Sequence, residues 1–160
     1  MTSVNIETNQ GNISFALLSD LAPETVRNFV KLAKEGFYDG TLFHRVIPGF
    51  MIQGGDPNTK DPNMKSQWGM GGPGYNVKAE FSSRSHLRGI VSMARAMDPD
   101  SAGSQFFIVT KDSTFLDREY TVFGEVTEGM DVADKIVNLQ KDQNDCPLED
   151  AKMLKVSISE

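Results

Sequence analysis

Cysteine is almost missing from this chain, and histidine nearly so. Cys146 is the single thiol, which excludes an internal disulfide framework and any cysteine-based zinc site. It lies in QKDQNDCPLED, where neighbouring carboxylates disfavour a thiolate, and it reads as an incidental loop residue. His44 and His86 are the only histidines, too few for a catalytic zinc site, and neither has a partner at ligand spacing, so no metal is expected. His44, in a β-prone run, is expected in the core with its ring hydrogen-bonded to backbone. Positive charge is scarce as well: 16 Lys and Arg stand against 22 Asp and Glu, and a net charge of -6 offers phosphate no basic face. Nucleic acid is thereby disfavoured as a partner. No apolar run approaches membrane-spanning length, and the opening MTSVNIETNQ has neither the basic start nor the apolar stretch of a secretory signal. The reading that follows is a cytoplasmic protein that does not engage a membrane.

Several apparent motifs fail on context. Gly69-Met70-Gly71-Gly72-Pro73-Gly74 has the letters of a dinucleotide-binding loop. Pro73 interrupts it, however, and the following YNVKAEF reads as extended where a helix is required. Asp56-Pro57-Asn58-Thr59-Lys60 begins like a calcium loop, but Lys60 takes an acidic position and no Glu closes the loop. It reads as a turn, as does Asp61-Pro62-Asn63. Gly103-Ser104-Gln105 is no nucleophile elbow, because Phe106 stands where glycine is needed. Hydrolysis has no machinery here, and no cofactor is implied.

What is present is ordinary globular material: 160 residues, 39% hydrophobic and 24% charged, enough for one domain over 1–160 with a real core. Strand-like runs occur at 4–8, 12–18, 42–47, 50–53, 90–94, 105–110, 121–126 and 152–158, the first two joined by a hairpin signal at Asn9-Gln10-Gly11. Pro23 opens a helix in which Val26, Phe29, Val30 and Ala33 share a face and Gly36 supplies the stop. A second helix is expected near 130–139, with Met130, Ala133, Ile136 and Val137 on one face. Many short strands with two helices favour an antiparallel barrel or sandwich with helical caps, in which the first and last strands can pair. The stretch 54–89 is expected to be a long irregular loop, a kind of segment that is usually functional or well packed.

Two runs carry the chemistry. FHRVIPGFMIQGGD, residues 43–56, sets a fixed cation (Arg45), an aromatic ring (Phe50), a thioether (Met51) and an amide (Gln53) in one hairpin-sized unit. That set suits holding a small apolar ring beside a polar amide better than breaking a covalent bond. In the second run, GIVSMARAMDPDSAGSQFFIVT, period two places Gln105, Phe107 and Val109 on one strand face and Phe106 and Ile108 on the other. With Phe106 and Ile108 in the core, Gln105 and Phe107 would face outward, an amide beside an apolar ring, although composition alone favours Phe107 in the core as well.

These runs, together with the later FLDREYTVFGEV and Gly129-Met130, resemble the cyclophilin family of peptidyl-prolyl isomerases, in order and over nearly the whole chain. DLAPETVRNFVKLAKEGFYDGTLFHRV is similar to that family's first helix and the lead into its active strand. WGMGGPGYNVKAEF and MARA resemble its compact prokaryotic cytoplasmic type. The resemblance implies a mainly β fold: a closed eight-stranded antiparallel β-barrel capped by two α-helices, with a proline groove on its outer surface. It implies that Arg45 is catalytic, that Phe50, Met51, Phe107 and Leu116 form the proline pocket, and that Gln53, Gln105 and the backbone around Ala94 and Arg95 hold the peptide. At the groove's edge Arg95 stands where Asn is usual, Phe115 where Trp is usual and Tyr120 where His is usual. Phe115 has no indole N–H to donate, so weakened affinity for cyclosporin-type cyclic peptides is implied. The implied partners are proline-containing polypeptides and folding intermediates, engaged by a monomer. A competing reading is a proline-peptide binding module or holdase with incidental catalysis, but a pure binder would not need Arg45.

Overall fold

The computed structural model describes residues 2–160. All eight expected strands are present, within a residue or two at each end: β1 (Ser3–Thr8), β2 (Gly11–Leu17), β3 (Phe43–Ile47), β4 (Met51–Gly54), β5 (Ile90–Met93), β6 (Phe106–Val109), β7 (Val122–Glu128) and β8 (Met153–Ser159). They form one antiparallel sheet in the order β3-β4-β6-β5-β7-β2-β1-β8, with the first and last strands paired as expected.

The barrel is curled but not fully closed by strand pairing, which corrects the expectation of a closed ladder. β3 and β8 meet only at their start, through the bridge Leu42–Lys152 and the bonds Phe43 N to Ala151 O (2.9 Å) and Met153 N to Thr41 O (2.8 Å). Further along, the outer edge of β3 is taken by the loop after the second helix. There Val46 N donates to Asp145 O (2.8 Å), and Lys141 Nζ donates to Val46 O (3.2 Å). Backbone groups that a closing strand would satisfy are satisfied by this loop instead, which also shields the edge from other chains.

The helix α1 (Pro23–Lys34) plugs one opening of the sheet, with Glu24 in its first turn and Lys31 and Lys34 in its last. Val26, Phe29 and Ala33 are buried on its inner face, while Val30 is only partly covered. Phe29 sits at the centre of an aromatic cluster, with ring centroids 5.7 Å from Phe15, 4.7 Å from Tyr38, 5.5 Å from Phe106 and 5.3 Å from Phe123. Tyr38 is fully buried, donates its hydroxyl to Ser104 O at 2.9 Å, and has its phenol pushed well up by burial. The residue before α1, Ala22, has no side chain able to cap it. A distant residue does so: the carboxylate of Glu80 accepts from Thr25 N and Thr25 Oγ1 (both 2.7 Å) and from Glu24 N (3.2 Å). The helix α2 (Met130–Val137) begins after Gly129 and buries Ala133, Ile136 and Val137. It ends two residues before the expected boundary.

The long stretch 54–89 is partly ordered. Asp56 and Asp61 each accept a backbone N–H two residues on and start short 3-10 helices at Pro57–Lys60 and Pro62–Gln67, where only turns were expected. Cys146 lies in a loop as expected but is buried; burial pushes its thiol up, with Asp142 and Asp150 adding to the effect against Lys65.

Candidate active site

The outer face of the sheet carries a second, smaller apolar cluster of Met51, Ile90, Phe107, Val109, Leu116 and Val122, separate from the barrel core. The alternation expected on β6 holds: Phe106 and Ile108 belong to the core, Phe107 and Val109 to this cluster. Phe107 is nevertheless only 4% exposed, because Tyr120 crosses its edge (centroids 5.8 Å apart, 84°). It forms a floor rather than a projecting wall.

Arg45 reaches this face because β3 is irregular. Phe43 pairs with Gly54 and Arg45 with Gln53, so His44 is an extra residue on its strand. Strict period two would put Phe43 and Arg45 on the same face. The bulge leaves Phe43 fully buried in the core and Arg45 exposed, opposite Gln53. His44 is buried as expected and feels the backbone of Leu42, although its Nδ1 has no partner of good hydrogen-bond geometry among the described residues.

A line of side-chain amides runs along the groove. Arg45 Nη1 donates to Gln53 Oε1 (3.2 Å), Gln53 Nε2 to Gln105 Oε1 (3.1 Å), and Gln105 Nε2 to Gly69 O (2.9 Å) and Gly71 O (3.0 Å). Each amide is thus held in one orientation. The line ends on Asp56, which is fully buried and accepts from Asn58 N (2.8 Å), Gly69 N (2.5 Å) and Gly71 N (3.2 Å). The sequence reading missed this anchor. Its one signal was Asp before Pro and Asn, and that marks a turn without saying what the other carboxylate oxygen holds.

A cavity of about 110 Å³ opens beside Arg45. Phe50 and Tyr120 form walls, Met51, Phe107 and Leu116 lie beneath, and Gln53, Ala94 and Arg95 complete the rim. Of the residues expected at the site, Gln105 and Phe115 are not in this lining. Gln105 lies one amide further along the groove, and Phe115 is 68% exposed with its ring tilted against Phe50 at 5.4 Å. Among the described residues no carboxylate pairs with Arg45, so its charge faces the cavity unneutralised.

Beneath the floor lies a layer that the sequence reading did not foresee. The His86 ring stacks under Phe107 at 6.1 Å and 17°, its Nδ1 lies 3.1 Å from Asp117 Oδ1, and its Nε2 lies 3.0 Å from Ser92 Oγ. The Ser85 hydroxyl, then the backbone N–H and ring of His86, hold Asp117 below the usual carboxylate range against its desolvation. Ser, His and Asp in line suggest a hydrolytic triad, but Ser92 and His86 are fully buried and Ser92 Oγ donates to Thr121 O (2.9 Å). No substrate carbonyl can reach that hydroxyl. The layer packs under Phe107 instead.

Burial pushes the titration of both histidines below the ordinary value of ~6.5, with Asp56 opposing at His44 and Asp117 opposing at His86. A depressed folded pKa means that the unfolded chain binds protons first as pH falls. The stability contributed is therefore complete above ~6.5 and is lost as pH drops through the lower folded values. Urea unfolding from about pH 8 to about pH 5 is expected to show falling stability over that window, and His44→Gln should shrink the fall. A flat profile in the parent chain would contradict this assignment.

An outer apolar pocket, an unpaired guanidinium and oriented amides, with no accessible nucleophile in the lining, suit a bound ring next to a polar bond that is turned rather than cut. Comparison with known proteins agrees. Residues 3–158 match the family described as cyclophilin type peptidyl-prolyl cis-trans isomerase/CLD. The chain is 43% identical over 162 residues to a probable peptidyl-prolyl cis-trans isomerase of Brucella suis, covering 98% of this chain and 82% of that protein. It is 50% identical over 135 residues to a peptidyl-prolyl cis-trans isomerase of Helicobacter pylori, covering 82% of this chain and 77% of the other. A cyclophilin-type isomerase of Cryptosporidium parvum, crystallised in the presence of the dipeptide Ala-Pro, superposes with a TM-score of 0.89 at 33% identity over 99% of both chains. The fold, the outer groove and these likenesses lead to one conclusion: the chain belongs to the cyclophilin-type peptidyl-prolyl cis-trans isomerase family.

Proposed function

We propose that the cavity beside Arg45 is the proline site of this isomerase and that Arg45 is its catalytic group. Rotation about an X-Pro bond is opposed by a barrier of roughly 18–20 kcal/mol from amide resonance. No covalent bond need break, so neither a nucleophile nor a cofactor is required. At the top of the barrier the prolyl nitrogen becomes pyramidal and recovers its lone pair. A guanidinium can donate to that nitrogen only then, which makes the interaction specific to the transition state. The ring is gripped by Phe50, Met51, Phe107, Leu116 and Tyr120. Gln53, Gln105 and the backbone around Ala94 and Arg95 hold the flanking peptide while its carbonyl turns. Lowering the barrier by ~7 kcal/mol corresponds to roughly a 10⁵-fold acceleration, within reach of electrostatics and positioning.

The observation that carries this reading is the cavity lining itself: an unpaired Arg45 over an apolar floor, fixed by Gln53. The substrates are proline-containing polypeptides, among them folding intermediates, and the chain acts as a monomeric single domain over 1–160 in the cytoplasm. Among the described residues no helix is long and apolar enough to cross a membrane. Isomerisation of a short X-Pro peptide, coupled to a protease that cleaves only the trans form, tests the assignment; binding without acceleration would make the groove a binding module.

Cyclosporin-type inhibitors meet Phe115 at the rim, where a ring without an N–H faces solvent. Loss of one hydrogen bond costs about 0.5–1.5 kcal/mol, or up to about tenfold in affinity. Flexible substrates can turn the unpaired carbonyl to water, whereas a rigid cyclic peptide cannot. Phe115→Trp is expected to regain much of the inhibition with substrate turnover little changed, and equal inhibition constants for the two forms would refute the missing donor as the cause.

A further inference from the structure

A second cavity, of about 530 Å³, adjoins the proline pocket and shares Gln53, Ala94 and Arg95 with it. Arg95 is the only charged side chain in its lining, and the proline pocket adds only Arg45. The groove therefore presents two cations and no carboxylate, in a chain whose net charge is -6. Low-dielectric walls concentrate such a field on whatever enters.

Arg95 cannot swing away from this position. Its Nε and Nη2 donate to Glu119 O (3.0 and 2.8 Å), and its Nη1 donates to Ala96 O (2.9 Å) and Met97 O (3.2 Å). The guanidinium carbon also lies 4.6 Å from the centroid of the Tyr120 ring. Those partners are neutral, and among the described residues no carboxylate forms an ion pair with Arg95. The charge is thus immobilised in advance, unneutralised, with one Nη2 hydrogen left to donate. A lysine's flexible ammonium or a neutral amide at this position would lack one or the other property.

We propose that Arg95 makes this isomerase selective for proline segments that carry a carboxylate side chain within two residues of the proline, the acidic side chain entering the second cavity. The proposal rests on the reading of the first cavity as the proline site. Basic side chains at the same place are disfavoured by both Arg95 and Arg45, so discrimination has a repulsive as well as an attractive part.

A panel of peptides with one X-Pro bond tests it, each carrying Glu, Gln or Lys at one position within two residues of the proline, with kcat/KM read by NMR exchange. At one such position Glu should exceed Lys by about fivefold, with Gln between them, the scale of one partly exposed ion pair. The ratio should fall towards one as salt rises to about 0.5 M. Arg95→Gln should bring the ratio most of the way to one, the small remainder being the repulsion from Arg45, and Arg95→Lys, which keeps the charge but not the clamp, should retain more of it. Turnover without any Glu-over-Lys preference, or a preference undiminished by salt and by Arg95→Gln, overturns the selectivity and leaves the isomerase reading standing. No turnover on any peptide overturns both.

Discussion

Replacing Arg45 with alanine is expected to lower kcat/KM by at least tenfold while the chain stays folded. The guanidinium is exposed, bonded only to Gln53 and free of carboxylates among the described residues, so its removal leaves no buried charge and no core cavity. The apolar floor proposed to bind the ring is untouched. An interaction made chiefly in the transition state shows its loss in kcat, whereas one made equally in the ground state shows it in KM. Arg45→Lys should recover little, because an ammonium on a flexible stem would lose the planar donor set that Gln53 orients. Gln53→Ala should fall between the parent and Arg45→Ala, acting through the freedom it gives Arg45. Near-parental kcat in Arg45→Ala, with unchanged thermal unfolding, would remove the cation from the mechanism.

The second large effect is expected at Asp56, outside the groove. Its carboxylate is the sole side-chain acceptor of three backbone N–H groups, two of which belong to the segment that holds Gln105. Hydrogen bonds to a charged group contribute ~1.5–3 kcal/mol each, and a buried donor left unpaired bears its full desolvation penalty. Asp56→Ala should therefore destabilise the chain by about 3 kcal/mol or more, lowering Tm by roughly 6–12 °C for a protein of this size. Asn offers one acceptor in place of two and turns an N–H₂ towards N–H donors, so Asp56→Asn should rescue only part. Below the new Tm, KM should rise more than kcat falls, since Gln105 loses its fixed orientation while Arg45 keeps its place. A Tm within 2 °C of the parent with an unaltered KM would disprove the anchoring role.

How far the sequence reached can be seen on neighbouring strands. On β6, alternation alone separated Phe106 and Ile108 from Phe107, because side-chain direction along a regular strand depends only on i and i+2 geometry. The faces of α1 and α2 were legible for the same reason at period 3.6. On β3 the same rule fails by one residue. It would have turned Arg45 inward with Phe43, and only the bulge at His44, set by pairing with β4, brings the guanidinium to the groove. The family resemblance named Arg45, but periodicity could not have aimed it.

What joins distant positions was likewise not legible. Glu80 caps a helix that begins at Pro23, Asp56 fastens Gly69 and Gly71, and His86 finds Asp117 and Ser92 beneath Phe107. Each partner pair is chosen by where the packed sheet brings loops together. Buried polar groups must be satisfied, but the sequence does not say by whom. The sheet's closure is of this kind too: whether β3 meets β8 or the 141–146 loop depends on which backbone groups arrive at that edge. By itself, then, the sequence determined the elements, their buried faces and the kinds of side chain suited to a small apolar ring beside an amide, since these follow from local geometry and residue chemistry. The tertiary structure decided the aim of Arg45, the fixing of the amides and the support under Phe107, since those depend on contacts between residues far apart in the chain.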